Sequence, residues 1–236
     1  MHSPKPILAL ALVMSACGGS SATFDTVYEG GQYHLGPVNY DETHFHNACA
    51  PATKYSQQVR QAQGDMLAGV WSGLDDIGNF CDTCILVKTA QGKEALLRVV
   101  TYGDTTKNSI DVSQNAFDIL NSGEFPREMT WQLTKCPETG GVIYEFQTAA
   151  NEDWTSLWVR NARVPLEKVE VKSVKHASFT KLERAADGTL TDTQGFGRGQ
   201  FTIKLTGIDG GTYSDTFEWP ANGLGGRTLV GEGNFD

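Results

Sequence analysis

A rhythm of short apolar stretches limits what this chain can fold into. Ile85-Leu-Val-Lys, Leu96-Leu-Arg-Val-Val, Val142-Ile-Tyr-Glu-Phe, Val169-Glu-Val-Lys and Phe201-Thr-Ile-Lys-Leu recur along it. Successive side chains of an extended strand point to opposite faces, so short runs of this kind between turn residues read as strands. Helical periodicity is nearly absent. The one clear helical segment is Ser113-Gln-Asn-Ala-Phe-Asp-Ile-Leu, with Ser113 placed to cap it and Ala116, Phe117 and Leu120 on one face. The fold class is therefore all-β, and 236 residues suit one large or two small domains.

The N-terminus reads as an export signal. Lys5 precedes the apolar run Ile7 to Met14, which ends in Ser15-Ala-Cys17. That run is too short to span a bilayer and has the form of a signal-peptide core. The small residues before Cys17 resemble a bacterial lipobox, which makes residues 1–17 the signal and Cys17 a lipidation site. Met14 stands where Leu is favoured, so ordinary signal cleavage is the alternative. A secreted protein or an outer-surface lipoprotein of a bacterium is expected, with Gly18-Gly-Ser-Ser-Ala-Thr as a short tether.

Four cysteines follow the signal: Cys49, Cys81, Cys84 and Cys136. An even count in an exported chain implies two disulfides, with three connectivities open. The Cys81-Asp-Thr-Cys84 spacing also fits a zinc knuckle or a redox pair. Zinc needs a second ligand pair, and His44-Phe-His46 lies too near Cys49 for the usual pattern. A redox pair normally opens a helix, whereas Ile85 begins a strand. His34, His44 and His46 share the first half with Asp41 and Glu42, but surface or groove positions outweigh a metal site; neither metal nor cofactor is expected.

The formal charge is −9, or −10 once Lys5 is removed, and no run of Lys and Arg occurs. Nucleic acid and anionic membrane surfaces are thereby disfavoured as partners. The segment Cys136-Pro-Glu-Thr-Gly-Gly141 is the best internal boundary, with turn residues between two strand patterns. Beyond it lie about a hundred residues of short strands and turns, including Ala186-Asp-Gly188 and Ile208-Asp-Gly-Gly211, the size and rhythm of an immunoglobulin-like β-sandwich.

In Trp154-Thr-Ser-Leu-Trp158-Val-Arg-Asn161 two indoles recur four residues apart, which places both on one face of a strand. Ser156 lies between them, while Leu157 and Val159 take the core face. Aligned indoles make a flat platform on which sugar rings stack, so Trp154 and Trp158 are read as outward-facing and carbohydrate-binding.

The ordered set Asn47-Ala-Cys49, Asn79-Phe-Cys-Asp-Thr-Cys84-Ile-Leu-Val, Ile110-Asp-Val-Ser-Gln-Asn-Ala-Phe117, Trp131…Cys136-Pro-Glu-Thr-Gly140, Trp154…Val159-Arg-Asn161 and Phe201…Gly210 resembles microbial expansin-like proteins. The resemblance implies a six-stranded double-psi β-barrel over residues 24–135 and an expansin-type carbohydrate-binding β-sandwich over 138–236. It further implies the pairings Cys49–Cys81 and Cys84–Cys136. Expansins loosen cell-wall polysaccharide without hydrolysing it. The implied partner is insoluble cell-wall polysaccharide, cellulose or a related β-glycan; a monomer is expected, and the lipobox-like residues offer a lipid anchor at Cys17.

Asp111 matches the family's retained groove acid and Tyr102 its groove aromatic. The second acid, just before that aromatic, is missing from Val99-Val-Thr-Tyr102, where Thr101 is the nearest polar replacement; Asp104 reads as a turn residue. Tyr33, His34 and Trp71 are assigned to the groove wall. On the platform, Asp153 replaces one family aromatic, Trp154 matches another, and a third has no partner near Asp187-Gly-Thr-Leu-Thr. A glycosidase on such a groove ordinarily needs two carboxylates. Non-hydrolytic binding and loosening is therefore expected. The alternatives are a glycan hydrolase or lytic transglycosylase with Asp111 as acid, or a purely adhesive carbohydrate-binding protein.

Overall fold

The computed structural model describes residues 23–36, 46–51, 65–104 and 106–236. The signal segment with Cys17, and Asp41, Glu42 and His44, lie outside the described residues. The described residues are nearly all β.

The first unit is built on strands β1 (Tyr28–Gly30), β2 (Tyr33–Leu35), a short ribbon of β3 (His46–Asn47) and β4 (Ala50–Pro51), then β5 (Leu67–Trp71), β6 (Cys84–Thr89), β7 (Glu94–Gly103), β8 (Ile110–Val112) and β9 (Met129–Thr134). All but the ribbon join in one sheet of order β1-β9-β6-β7-β5-β8-β2. Its pairs β2–β8 and β5–β7 are parallel and the rest antiparallel. The two end strands follow one another in the chain, and the Tyr33 N–H donates to Arg127 O just ahead of β9, so the sheet rolls into a nearly closed barrel. It has seven strands where six were expected, because the three-residue β1 adds to β9 at the edge.

Alternation explains the barrel's interior. In β9, Met129, Trp131 and Leu133 are buried between partly exposed Thr130, Gln132 and Thr134. The Trp131 indole stacks on Tyr28 with ring centroids 4.0 Å apart and donates to Asn108 O at 2.8 Å. A buried Trp is stabilised by area while its N–H still has a partner. Helix α1 (Gln114–Leu120) packs Ala116 and Leu120 inward. Ser113, expected to cap α1, makes no side-chain cap. Its hydroxyl instead donates to Asp65 O and accepts the Leu67 N–H, so it stitches the start of β5.

The second unit is a two-layer sandwich. One layer holds β10 (Ile143–Phe146), β11 (Thr155–Arg160), β14 (Glu183–Arg184), β15 (Leu190–Asp192) and β18 (Thr228–Val230), in the order β14-β15-β11-β10-β18. The other holds β12 (Leu166–Ser173), β13 (His176–Lys181), β16 (Gln200–Gly207) and β17 (Thr212–Glu218), in the order β13-β12-β16-β17. Every pairing in it is antiparallel. Phe146, Leu157, Phe196, Phe201 and Ile203 fill the space between the layers. Trp219 packs at the edge of this core, 6.4 Å from the Phe201 ring centroid.

Two disulfides brace the barrel. Cys49 bonds Cys81, and Cys84 on β6 bonds Cys136 just beyond β9. These are the pairings that the resemblance implied. The Cys136 N–H also donates to Arg163 O at 2.8 Å, which ties the end of the barrel to the sandwich. Gly78, in a short 3-10 turn over Ile77–Phe80, allows a second close approach. A methyl group there would lie 2.1 Å from Ala185 O.

Candidate functional site

Four neighbouring barrel strands set His34, Asp111, Gly69 and Thr101 in one row. His34 pairs with Asp111 across β2 and β8, Asp111 with Gly69 across β8 and β5, and Gly69 with Thr101 across β5 and β7. Residues facing one another across strands share a face of the sheet. The bare Gly69 lets its neighbours draw together: a methyl group there would lie 2.8 Å from Thr101 Cγ2 and 3.8 Å from Asp111 Cβ. On the other flank Asp111 packs on Gly36, whose added methyl would fall 2.4 Å from Asp111 Cβ.

This position shapes the acid. Burial pushes the Asp111 carboxyl above its usual value, and the charge of His34 opposes the shift. Asp111 is the middle residue of β8. Thr101 Oγ1 accepts the Ala48 N–H at 3.2 Å, which fixes its rotamer and joins the row to the loop carrying Cys49. Asp104 accepts from the Ser72 hydroxyl at 2.9 Å, in the exposed turn expected for it.

The remaining groove assignments fare differently. Trp71 ends β5, two residues beyond Gly69 and on the same alternation; it is half-buried and its ring lies over Gly73. Tyr102 pairs with Val70 and packs against the barrel core while staying partly exposed, so it leans to the inner side of the sheet. Tyr33 is not a groove residue. It is wholly buried, and its hydroxyl donates to Leu120 O at 3.0 Å and Glu124 Oε1 at 2.9 Å. Its strand partner is the core residue Ile110, so alternation sends Tyr33 inward and the next residue, His34, outward.

On the sandwich, Leu157 is buried in the core and Val159 packs against it, as alternation requires. Trp154 and Trp158 are each half-buried. Ser156, expected in the open between them, is wholly buried, its hydroxyl 3.2 Å from that of Thr191. The Trp154 N–H is held by Asn151 Oδ1 at 3.1 Å. Asp153 beside it is exposed and pairs with Lys175 at 2.6 Å.

The same face continues to Arg160, which sequence reading passed over. Its guanidinium lies 5.4 Å from the Trp158 ring centroid and donates to Cys49 O at 3.1 Å. It stands 3.4 Å from Glu145 and 3.9 Å from Asp82. Arg98, also buried, pairs with Asp82 at 2.8 Å and with Glu138. Residues far apart in sequence thus form one ionic cluster at the junction of barrel and sandwich. A path of contacts runs from Trp158 through Arg160 and Cys49 to Ala48, Thr101 and the Asp111 row. Among the described residues no three of His, Cys, Asp or Glu are arranged to hold a metal ion.

No family model matches the chain. Expansin-YoaJ of Bacillus subtilis strain 168 is 26% identical over 131 residues, 55% of this chain and 55% of that protein. Expansin-like protein 6 of Dictyostelium discoideum is 27% identical over 160 residues, 61% of this chain and 53% of that protein. The chain thus spans about half the length of the curated relatives it matches. The crystal structure of an apo expansin of Clavibacter michiganensis superposes with a TM-score of 0.68 at 19% identity, covering 89% of this chain and 98% of that one. A mutant of that expansin, in complex with cellohexaose, superposes with a TM-score of 0.66 at 18% identity and the same coverage. In sequence, then, the chain is similar to expansin-like proteins, and in fold it is similar to a bacterial expansin.

Proposed function

We propose that this protein is exported, binds cell-wall polysaccharide of the cellulose type, and loosens it without cleaving it. In this reading residues 24–135 form the barrel domain and 138–236 the carbohydrate-binding sandwich. One glycan strand lies along the row of His34, Asp111 and Thr101 while Trp154 and Trp158 stack on the polymer surface. The observation that carries the reading is the row itself: across four strands it offers one carboxylate, flanked by His, Gly and Thr. A lone half-buried acid can hydrogen-bond sugar hydroxyls. Among the described residues the row offers no opposed base or nucleophile of the kind that glycosidic cleavage ordinarily requires. Support for the ligand comes from the cellohexaose held by a structurally similar expansin. The protein acts as a monomer, with Cys17 as its lipid anchor.

One observation favours an enzyme instead. The raised Asp111 carboxyl suits a general acid. Incubation with cellulose, xylan and peptidoglycan separates the readings. The non-lytic one expects retention on cellulose with no new reducing ends and no anhydro products. Sustained product formation that Asp111→Asn abolishes would overturn it. Retention lost with Trp154→Ala but kept with Asp111→Asn would favour a purely adhesive protein.

A further inference from the structure

Trp158 borders two hollows. One is the small cleft at the junction with the barrel. The other is an open trough on the outer face of the sandwich, with Trp158 and Glu145 on one side, Thr148 and Ala149 on the other, and Gln147 and Gly226 between them. Strand pairing fixes its direction. Glu145 faces Trp158 across β10 and β11, and one step along, the Gln147 N–H donates to Ser156 O at 2.9 Å. On the far flank the Gly226 N–H donates to Gln147 O at 3.1 Å, just ahead of β18. Ser156, Gln147 and Gly226 therefore form a row that crosses the line from Trp154 to Trp158. The row is low. Ser156 is wholly buried, and a methyl group at Gly226 would meet nothing nearer than Thr148, at 3.9 Å. Its polar groups are unengaged: the Gln147 carboxamide and the Thr148 hydroxyl make no hydrogen bond within the described residues, and both residues reach solvent. No Lys or Arg lines the trough, and Glu145 is already held by Arg160 at 3.4 Å.

We propose that this trough takes a single uncharged glycan chain, or a branch of one, laid across the strands, and so lets the sandwich distinguish a free chain from a crystalline face. The lining suits the ligand. An indole wall packs on the C–H face of a sugar ring. A carboxamide and a hydroxyl both donate and accept, as sugar hydroxyls require. With no free cation in the lining, nothing there favours an acidic sugar over a neutral one. The space is about 500 Å³, within the roughly 300–1,000 Å³ of small-ligand sites. A crystalline face is flat and many chains wide, so it rests on the rims and stays clear of Gln147. A lone chain descends between them. The inference rests on the polysaccharide-binding reading above and adds to it the form of glycan that the sandwich selects.

Calorimetry on the full chain reads its affinity for soluble cellohexaose, and sedimentation reads its retention on crystalline cellulose. Gln147→Leu nearly keeps the side-chain volume and removes the amide; it should weaken cellohexaose about fivefold, the usual loss for one hydrogen bond. Thr148→Val, at an exposed position, should act in the same direction, and it decides the matter alone if the leucine variant does not fold. Retention on crystalline cellulose should match wild type for both. Unchanged cellohexaose affinity in the folded variants would overturn the inference, as would a parallel loss on crystalline cellulose. Wild type retained on crystalline cellulose without binding cellohexaose would overturn it alone. Wild type binding neither would sink the polysaccharide reading itself.

Discussion

Arg160 of the sandwich donates its guanidinium N–H to the carbonyl oxygen of Cys49, a disulfide residue of the barrel unit, at 3.1 Å. The residue is 2% exposed, so this bond and the neighbouring carboxylates Glu145 and Asp82 are desolvated. The contact both joins the two units and sets Trp158 beside the loop that holds Thr101.

Arg160→Met should therefore destabilise the protein by roughly 3–5 kcal/mol, because removing one partner of a buried ionic cluster leaves the others uncompensated. Urea unfolding measures it. A loss below about 1 kcal/mol would mean that the cluster behaves as a solvated one and does not hold the junction.

The disulfides should matter comparably. They close sequence separations of 32 and 52 residues, and the chain-entropy model assigns roughly 4 kcal/mol to each such loop. Mass mapping of the unreduced protein should recover Cys49–Cys81 and Cys84–Cys136. Paired serine substitutions should each lower the unfolding midpoint. Four free thiols, or a mixed pairing, would contradict the structure.

The alternating runs announced β6, β7, β10, β12 and β16, since these strands are long enough for a period of two to be read. The disulfide pairs came from the resemblance and not from spacing, which left three connectivities open. Tyr33 was misread because β2 has three residues, too few to reveal a period; only its pairing with Ile110 shows which way it faces. The same pairing brings His34, taken as a groove-wall or metal candidate, beside Asp111. Thr101 was found as a polar replacement, but its nearness to Asp111 depends on Gly69 from a third strand. The ionic cluster was illegible because Asp82, Arg98, Glu138, Glu145 and Arg160 meet only after both units form.

Asp111 should leave a signature in the pH dependence of stability. Its carboxyl titrates above its ordinary value in the folded state, chiefly through burial. In the window between the unfolded and folded values the native state binds more protons than the unfolded one, so stability must fall as pH rises through that window. Asp111→Asn removes the ionisation and with it the fall. Unfolding midpoints for both proteins from about pH 3 to about pH 7 should converge at the acid end and separate toward neutrality, with the variant the more stable. Parallel profiles would show that Asp111 is solvated and not enclosed between Gly36 and Gly69.

Trp154 and Trp158 should respond differently to truncation, although they share a face. Trp154 is half-buried just ahead of β11, with its backbone N–H held by Asn151 Oδ1. Trp158 carries the Arg160 guanidinium 5.4 Å from its ring centroid and lines the junction cleft. A stacked ring contributes on the order of 1 kcal/mol, so Trp154→Ala should weaken retention on cellulose several-fold with little change in unfolding midpoint. Trp158→Ala should lower both, because its loss also uncovers Arg160. Retention isotherms and urea unfolding of the two variants measure the contrast. Unchanged retention for Trp154→Ala, or an unfolded protein, would show that its ring serves the sandwich and not the polymer.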